Sequence, residues 1–250
     1  MTKFEKPQKG NPHQLVVNQH TFPAKSIARF ADPSGRVQLQ MKTNKLVRRA
    51  KPSDSIFCAR RAWDHASEVM FMKKIEDNFQ CLAELIIDGQ VSSFNEEQTH
   101  VISFFYALWL ARAQIRDQPE KDAVLPGIWP DHARSKDQEE ELEKEGIAFF
   151  RRNILLARMK NGVAVHVHVA RHFRQINPTA NCCIVHASNG EFVVPDWPLV
   201  YAFVPITPTL ALVNHYINQR LDRGDVRLVN KQLRSASRRY FFARDFAACP

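Results

Sequence analysis

The order of apolar and polar positions divides the chain into a helix-rich first part and a strand-rich second part. Met72, Ile75, Phe79, Leu82 and Ile86 recur at intervals of three and four, so they share one helix face, and Gly89 supplies a stop. This spacing predicts a helix over residues 63–88. Asn95 is a favoured cap, Glu96 and Glu97 suit a first turn, and Ile102, Phe105, Trp109 and Arg112 form a stripe. They predict a second helix ending near Arg116. Only residues 89–94 join the two, which predicts an antiparallel helical hairpin. Upstream, Pro23 suits the first turn of a short helix over 23–30. Asp32-Pro33-Ser34-Gly35 marks a turn, and residues 36–41 then alternate as a half-buried strand does.

Residues 117–134, with Pro119, Pro126, Gly127, Trp129 and Pro130, read as an ordered loop. Residues 135–160 read as a helix whose EEELEKE run forms a solvated face. Residues 163–169 alternate strictly. On a strand, His166 and His168 share a face, a spacing also seen in metal sites; on a helix, His168 and His172 do, and neither arrangement brings an obvious third ligand. Beyond Pro178 the pattern turns strand-like. Residues 182–187 and 191–194 read as a hairpin around Ser188-Asn189-Gly190, 199–204 and 210–213 continue as strands, and 225–239 returns to helix. The expected class is α+β: an N-terminal helical part with a long antiparallel hairpin, then a mainly antiparallel β part and a C-terminal helix. Residues 1–19 read as a mobile polar lead-in, and 20–250 as a single domain with a sub-boundary allowed near 175–180.

Composition narrows the partners. The 250 residues are 44% hydrophobic, enough to bury a sizeable core. Lys and Arg number 35 against 26 Asp and Glu, a net charge of +9. That balance favours a polyanion such as nucleic acid through phosphate neutralisation, and it is equally the charge of an ordinary basic soluble protein. Five cysteines with no CxxC spacing argue against a disulfide framework or zinc knuckle and fit a reducing cytoplasm. The N-terminus has no apolar core of a signal peptide, and no apolar run reaches the ~20 residues of a membrane span, so no membrane partner is expected. With eight glycines and no phosphate-cradling loop, a nucleotide-binding fold is a poor fit. Oligomeric state is not legible at this level.

Several short motifs occur in a recognisable order. His20-Thr21-Phe22-Pro23 is followed by Ile27, Phe30, Asp32, Gly35 and Val37; Glu68 and Glu76 share a helix; Arg112 and Arg116 end another; Phe192-Val193-Val194-Pro195-Asp196-Trp197-Pro198 precedes Pro205 and Pro208; Asn230 and Tyr240-Phe241 close the series. Over residues 20–243 this resembles the bacterial family of domain of unknown function 4238. Pro195 stands where that family usually has Ser, which argues against a role needing a hydroxyl there. The resemblance implies a bacterial setting linked to mobile elements or defence, and it carries no established activity.

Extending the first stripe back from Met72 lands on Glu68, and extending the second lands on Arg112 and Arg116. In a hairpin centred near 92, equal rise on both helices sets 116 level with 68 and 112 level with 72. A carboxylate and a guanidinium should therefore meet at the open end, either as a structural ion pair or as a phosphate-binding arginine beside a catalytic or metal-binding Glu68. Asp196, between two prolines, is a turn-forming acceptor or a general base; His20 is a loop anchor or a general base. Lys231, Arg234, Arg238 and Arg239 form either a basic helical face for nucleic acid or a solvated helix. Two function classes follow. One is a metal-dependent, nuclease-like enzyme using His20, Glu68 and Asp196 with a divalent cation; the other is a non-enzymatic interaction or nucleic-acid-binding protein whose motif residues are structural.

Overall fold

The structure is a computed structural model that describes residues 4–128, 134–176, 182–198, 202–214 and 220–250. Trp129, Pro130, Pro178, Leu199 and the 177–180 part of the expected sub-boundary lie outside the described residues. In chain order the elements are β1 (Asn18–His20), α1 (Ala24–Ala28), β2 (Val37–Met41), β3 (Val47–Ala50), β4 (Cys58–Arg60), a π-helical stretch (Ser67–Met72), α2 (Lys73–Ile87) and α3 (Glu96–Asp117). Then come β5 (Ala123–Val124), α4 (Lys136–Lys144), β6 (Phe150–Arg151), β7 (Ile154–Leu155), α5 (Ala157–Gln175), β8 (Cys182–Ala187), β9 (Val194–Pro195), β10 (Phe203–Thr207), β11 (Leu210–Asn214), β12 (Arg220–Leu221), α6 (Arg223–Ala236) and β13 (Tyr240–Ala243). Helices and antiparallel sheets together make the class α+β.

The helical hairpin forms as the stripes require. Gly89, at φ 71°, ends α2 by donating to the Ile86 carbonyl, and Asn95 and Gln98 close a reciprocal capping box on α3. The first helix differs in detail. It begins at His65 rather than Trp63, because Asp64 caps it by accepting from Ser67 N–H at 2.8 Å. Its opening turns are π-helical, so the side chains of 67–72 are rotated relative to a straight α-helical stripe.

Two four-stranded sheets, ordered β3-β2-β13-β9 and β10-β11-β8-β12, pack against this hairpin. The first takes strands from both ends of the described chain: β13 lies between β2 and β9, antiparallel to both. The main core places Phe79, Leu82, Phe105 and Trp109 against Leu39, Phe242, Val204 and Leu212. A second core seals the opposite side, with Val226 and Leu233 of α6 against Val185, Phe203, Ala211 and Phe241. Strands covered on both sides need continuous apolar runs, which is why residues 210–213 do not alternate.

Four sequence expectations are corrected. Residues 182–187 and 191–194 do not pair as a hairpin; β8 joins β11 and β12, whereas β9 crosses to β13, since Phe192 to Val194 are buried between the cores. Residues 135–160 are not one helix: α4 stops near Gly146, at φ 74°, and β6 and β7 intervene before α5. The EEELEKE run is not a solvated face, because Glu139, Glu140 and Glu143 are buried. The lead-in is strapped down rather than loose among its described residues: Gln8 N–H donates to Glu140 at 2.9 Å and His13 meets Asp137 at 2.8 Å.

The alternating residues 163–169 fall in α5, with Val165 and Val169 buried against α3 and Val163 and Val167 exposed. Helix α3 is buried on nearly all sides, and Ala107 and Ala111 admit α5 closely. A Cβ on Gly162 would lie 1.7 Å from Asp64 Oδ2, so glycine is what lets α5 approach the start of the helical hairpin.

Candidate functional site

Arg112 is the centre of the polar cluster at the open end of the hairpin. Its side chain is 1% exposed. Nε points at the Met72 sulfur at 3.4 Å, as the level register of 112 and 72 requires. One turn to either side of Met72 stand Glu68 and Glu76. Arg112 Nη2 donates to Glu68 Oε2 at 3.1 Å, and Nη1 donates to Glu76. The expected contact between Glu68 and a helix-ending arginine is therefore present, with Arg112 as the partner. The Trp63 indole N–H donates to the same Glu68 oxygen at 2.6 Å, and the guanidinium sits over its ring.

One guanidinium thus serves two carboxylates. Burial alone would lower the Arg112 pKa, but Glu68 and Glu76 outweigh it and raise it above its ordinary value. The surplus negative charge falls on Glu76. Its burial, reinforced by Glu68 and opposed by Arg112 and the nearby His20, holds its carboxyl above the usual range. Both carboxylates keep some contact with solvent, with side chains 15% and 20% exposed.

Arg116, one turn along α3, takes a separate partner. Its Nη2 donates to Asp196 Oδ2 at 2.8 Å and its Nε to Asp117 at 2.9 Å. Asp196 has no exposed side-chain surface and also accepts the backbone N–H groups of Arg238, at 2.8 Å, and Arg239, at 3.1 Å. Asp196 thereby clamps the chain between α6 and β13. Arg116 is paired not with Glu68 but with Asp196, which follows β9 at the edge of the sheet.

His20 Nε2 lies 3.0 Å from the Pro52 carbonyl. Its neighbour Thr21 bonds the Tyr240 hydroxyl, and burial, offset by Arg116, pushes the Tyr240 phenol well above its usual pKa. Asp196 N–H donates to the Tyr240 carbonyl at 3.1 Å, so the neighbour of His20 and Asp196 itself both meet Tyr240, and neither His20 nor Asp196 lines either of the two clefts beside α4. Each closes its own hydrogen bonds. Among the described residues, no group of three or more His, Cys, Asp and Glu could hold a metal ion. In α5, His168 and His172 stack with ring centroids 6.0 Å apart, and His172 is occupied by Gln114 and Gln175.

The basic helical face is not formed as expected. Lys231 is exposed on α6, and Arg234 donates to the Cys249 carbonyl while covering the Phe241 ring. Arg238 and Arg239 lie beyond the helix end, where Arg238 covers Trp197.

Two features escape a reading by motif. Gln19 is fully buried and holds the Trp63 backbone from both sides, accepting from Ala62 and Trp63 N–H and donating to the Trp63 carbonyl at 2.8 Å. Gln19→Ala is expected to cost about 1–3 kcal/mol, because these groups lose their side-chain partner in a dry setting; urea unfolding measures it. No periodicity could have flagged it, since a three-residue strand has none to show. The second is an open cleft of about 500 Å³ beside α4, lined by Arg134, Lys136, Phe150, Arg151, Arg152 and Ile154, with Glu5 and Glu139 at its wall. A smaller recess of about 300 Å³ shares Arg134, Phe150 and Arg152 and adds Ile147 and Phe149. The sequence signal is Phe149-Phe150-Arg151-Arg152, hidden by its reading as helix.

Among the described residues, no helix is long and apolar enough to cross a membrane. No protein-family model matches the chain, and no curated protein or solved structure is similar to it at a significant level.

Proposed function

We propose that this protein binds nucleic acid without cleaving it, through the basic cleft beside α4, and that the motif residues around Arg112 and Arg116 form an internal frame. The observation that carries this reading is the composition of the cleft. Arg134, Lys136, Arg151 and Arg152 converge around Phe150, which is 39% exposed. Cations attract the phosphate backbone, and an exposed ring offers a base a stacking face. The net charge of +9 acts in the same direction over longer range.

The nuclease-like reading has less support. His20, Glu68 and Asp196 each already have hydrogen-bond partners, and a metal would need donors that these bonds already use. One observation favours a second reading: Glu76 is partly exposed, with its carboxyl raised by burial despite Arg112, the direction a general acid needs.

Fluorescence anisotropy with labelled oligonucleotides tests the proposal. Binding should weaken strongly as salt rises from ~50 to ~200 mM, and Arg152→Ala should lower affinity about uniformly across sequences. Salt-independent binding, or none, would overturn it. Incubation with Mg²⁺, Mn²⁺ or chelator should leave the strands intact; metal-dependent cutting lost in Glu76→Gln would restore the enzyme reading.

A further inference from the structure

The N-terminal segment crosses the wall of the cleft, and one carboxylate supplies its closest charged contacts. Glu5 Oε1 accepts from Arg151 Nη2 at 2.7 Å, and Oε2 accepts from Arg158 Nη1 at 2.7 Å. Arg61 donates to the Glu5 backbone carbonyl at 3.1 Å. Two oxygens on one centre, each received by a different guanidinium, is how a phosphate group is held.

Among the three arginines that Glu5 touches, charges balance only while Glu5 is present. Arg61 and Arg158 share Glu143, at 2.7 and 2.8 Å, and Arg151 also meets Glu139. With Glu5 in place, three guanidiniums face three carboxylates. With Glu5 withdrawn, three face two, and Arg151, which lines the cleft, loses one of its two carboxylates. Arg151 and Glu5 are both partly exposed, at 38% and 33% of their side chains, whereas Arg158 is 6% exposed and lies behind Glu5, so an external anion meets Arg151 first and reaches Arg158 only once the Glu5 carboxylate leaves. Burial opposes ionisation of Glu5, but the hydrogen bond from Arg151 and the charges of Arg158, Arg151 and Arg61 overcome it and hold its pKa below the ordinary value. The segment is also held by Gln8 to Glu140 and Asp137, by His13 to Asp137 and by Lys136 to the Lys6 carbonyl, so release of Glu5 concerns the stretch before Gln8.

We propose that Arg151 and Arg158 form a binding site for a backbone phosphate of nucleic acid, which the Glu5 carboxylate occupies in this structure as a stand-in, so that the N-terminal segment competes with the ligand. This rests on the nucleic-acid reading of the cleft and adds its regulation. The segment sets a threshold: a strand must displace Glu5 to gain the last phosphate contact.

The test measures anisotropy of a fluorescein-labelled single-stranded oligonucleotide with the wild type, Glu5→Gln, Gln8→Ala and Glu5→Gln combined with Arg151→Gln. Glu5→Gln should bind severalfold more tightly at low salt, with a log–log salt slope steeper by about one, because one more phosphate is neutralised. Gln8→Ala loosens the segment without changing its charge and should give a smaller gain in affinity; it also keeps the test decisive if Glu5→Gln melts at a much lower temperature. Adding Arg151→Gln should abolish the gain of Glu5→Gln. Equal binding by the wild type, Glu5→Gln and Gln8→Ala would overturn the competition while leaving nucleic-acid binding intact. Absence of binding by every variant would overturn both.

Discussion

Arg112→Met is expected to destabilise the protein by about 3–5 kcal/mol, the usual cost of removing one partner from a buried ion pair. The side chain is 1% exposed, and its loss leaves Glu68 and Glu76 facing each other without a cation. Methionine fills most of the volume beside Met72 and Trp63, so the loss reports charge rather than a cavity. Adding Glu68→Gln and Glu76→Gln should therefore recover part of it. Neutral amides need no counter-ion, and the amide oxygen that replaces the Glu68 carboxylate can still accept from the Trp63 indole.

The pH dependence has a defined sign. Glu76 already has its carboxyl raised in the folded protein by burial and by Glu68, against the opposing pull of Arg112. A carboxyl with a raised folded pKa contributes stability that is complete below its unfolded value, near ~4.3, and is lost as pH rises through the folded value. Removing Arg112 raises it further. The deficit of Arg112→Met should thus be smaller near pH ~4 than at pH ~7, measured by urea unfolding at both. A deficit independent of pH would show that Arg112 acts by packing alone.

Asp196→Ala is expected to cost a similar ~3–5 kcal/mol, and Asp196→Asn less, about 1–3 kcal/mol. Asp196 is the meeting point of Arg116 with the backbone of Arg238 and Arg239, and its side chain is wholly buried. Alanine removes every one of these bonds and leaves Arg116 with Asp117. Asparagine keeps one acceptor oxygen but carries no charge. For a chain of this size each kcal/mol shifts Tm by about 2–4 °C, so the two variants should separate clearly in a melt. A catalytic aspartate would behave in the opposite way, with activity lost and Tm nearly unchanged. An unchanged Tm for Asp196→Ala would therefore show that this carboxylate is no part of an internal frame.

How much was legible follows the physics of each element. The hairpin of α2 and α3 was readable because its stop, cap and stripes are local: Gly89, Asn95 and the 3–4 spacing act over one or two turns. Its ion pair was readable for the same reason, because two helices of equal rise set their own register. The choice of Arg112 over Arg116 was not, since it depended on the π-helical opening of the first helix and on Asp196 arriving from residues 80 positions away. Residues 191–194 illustrate the opposite case. A Ser-Asn-Gly turn between apolar runs is a genuine hairpin signal, yet burial of Phe192 and Val193 in the second core outweighed it.

Residue pattern by itself determined the α+β class, the helical hairpin, strands over 36–41 and 210–213 and the basic charge, because each is a property of neighbours or of totals. Only the tertiary structure decided which carboxylates are buried. Glu139, Glu140 and Glu143 look like a solvated face until Arg61, Arg151, Arg158 and Gln8 are brought to them from distant parts of the chain. Burying a charged side chain alone is too costly, so whether a run of glutamates faces water or the interior depends on partners that no local spacing can name.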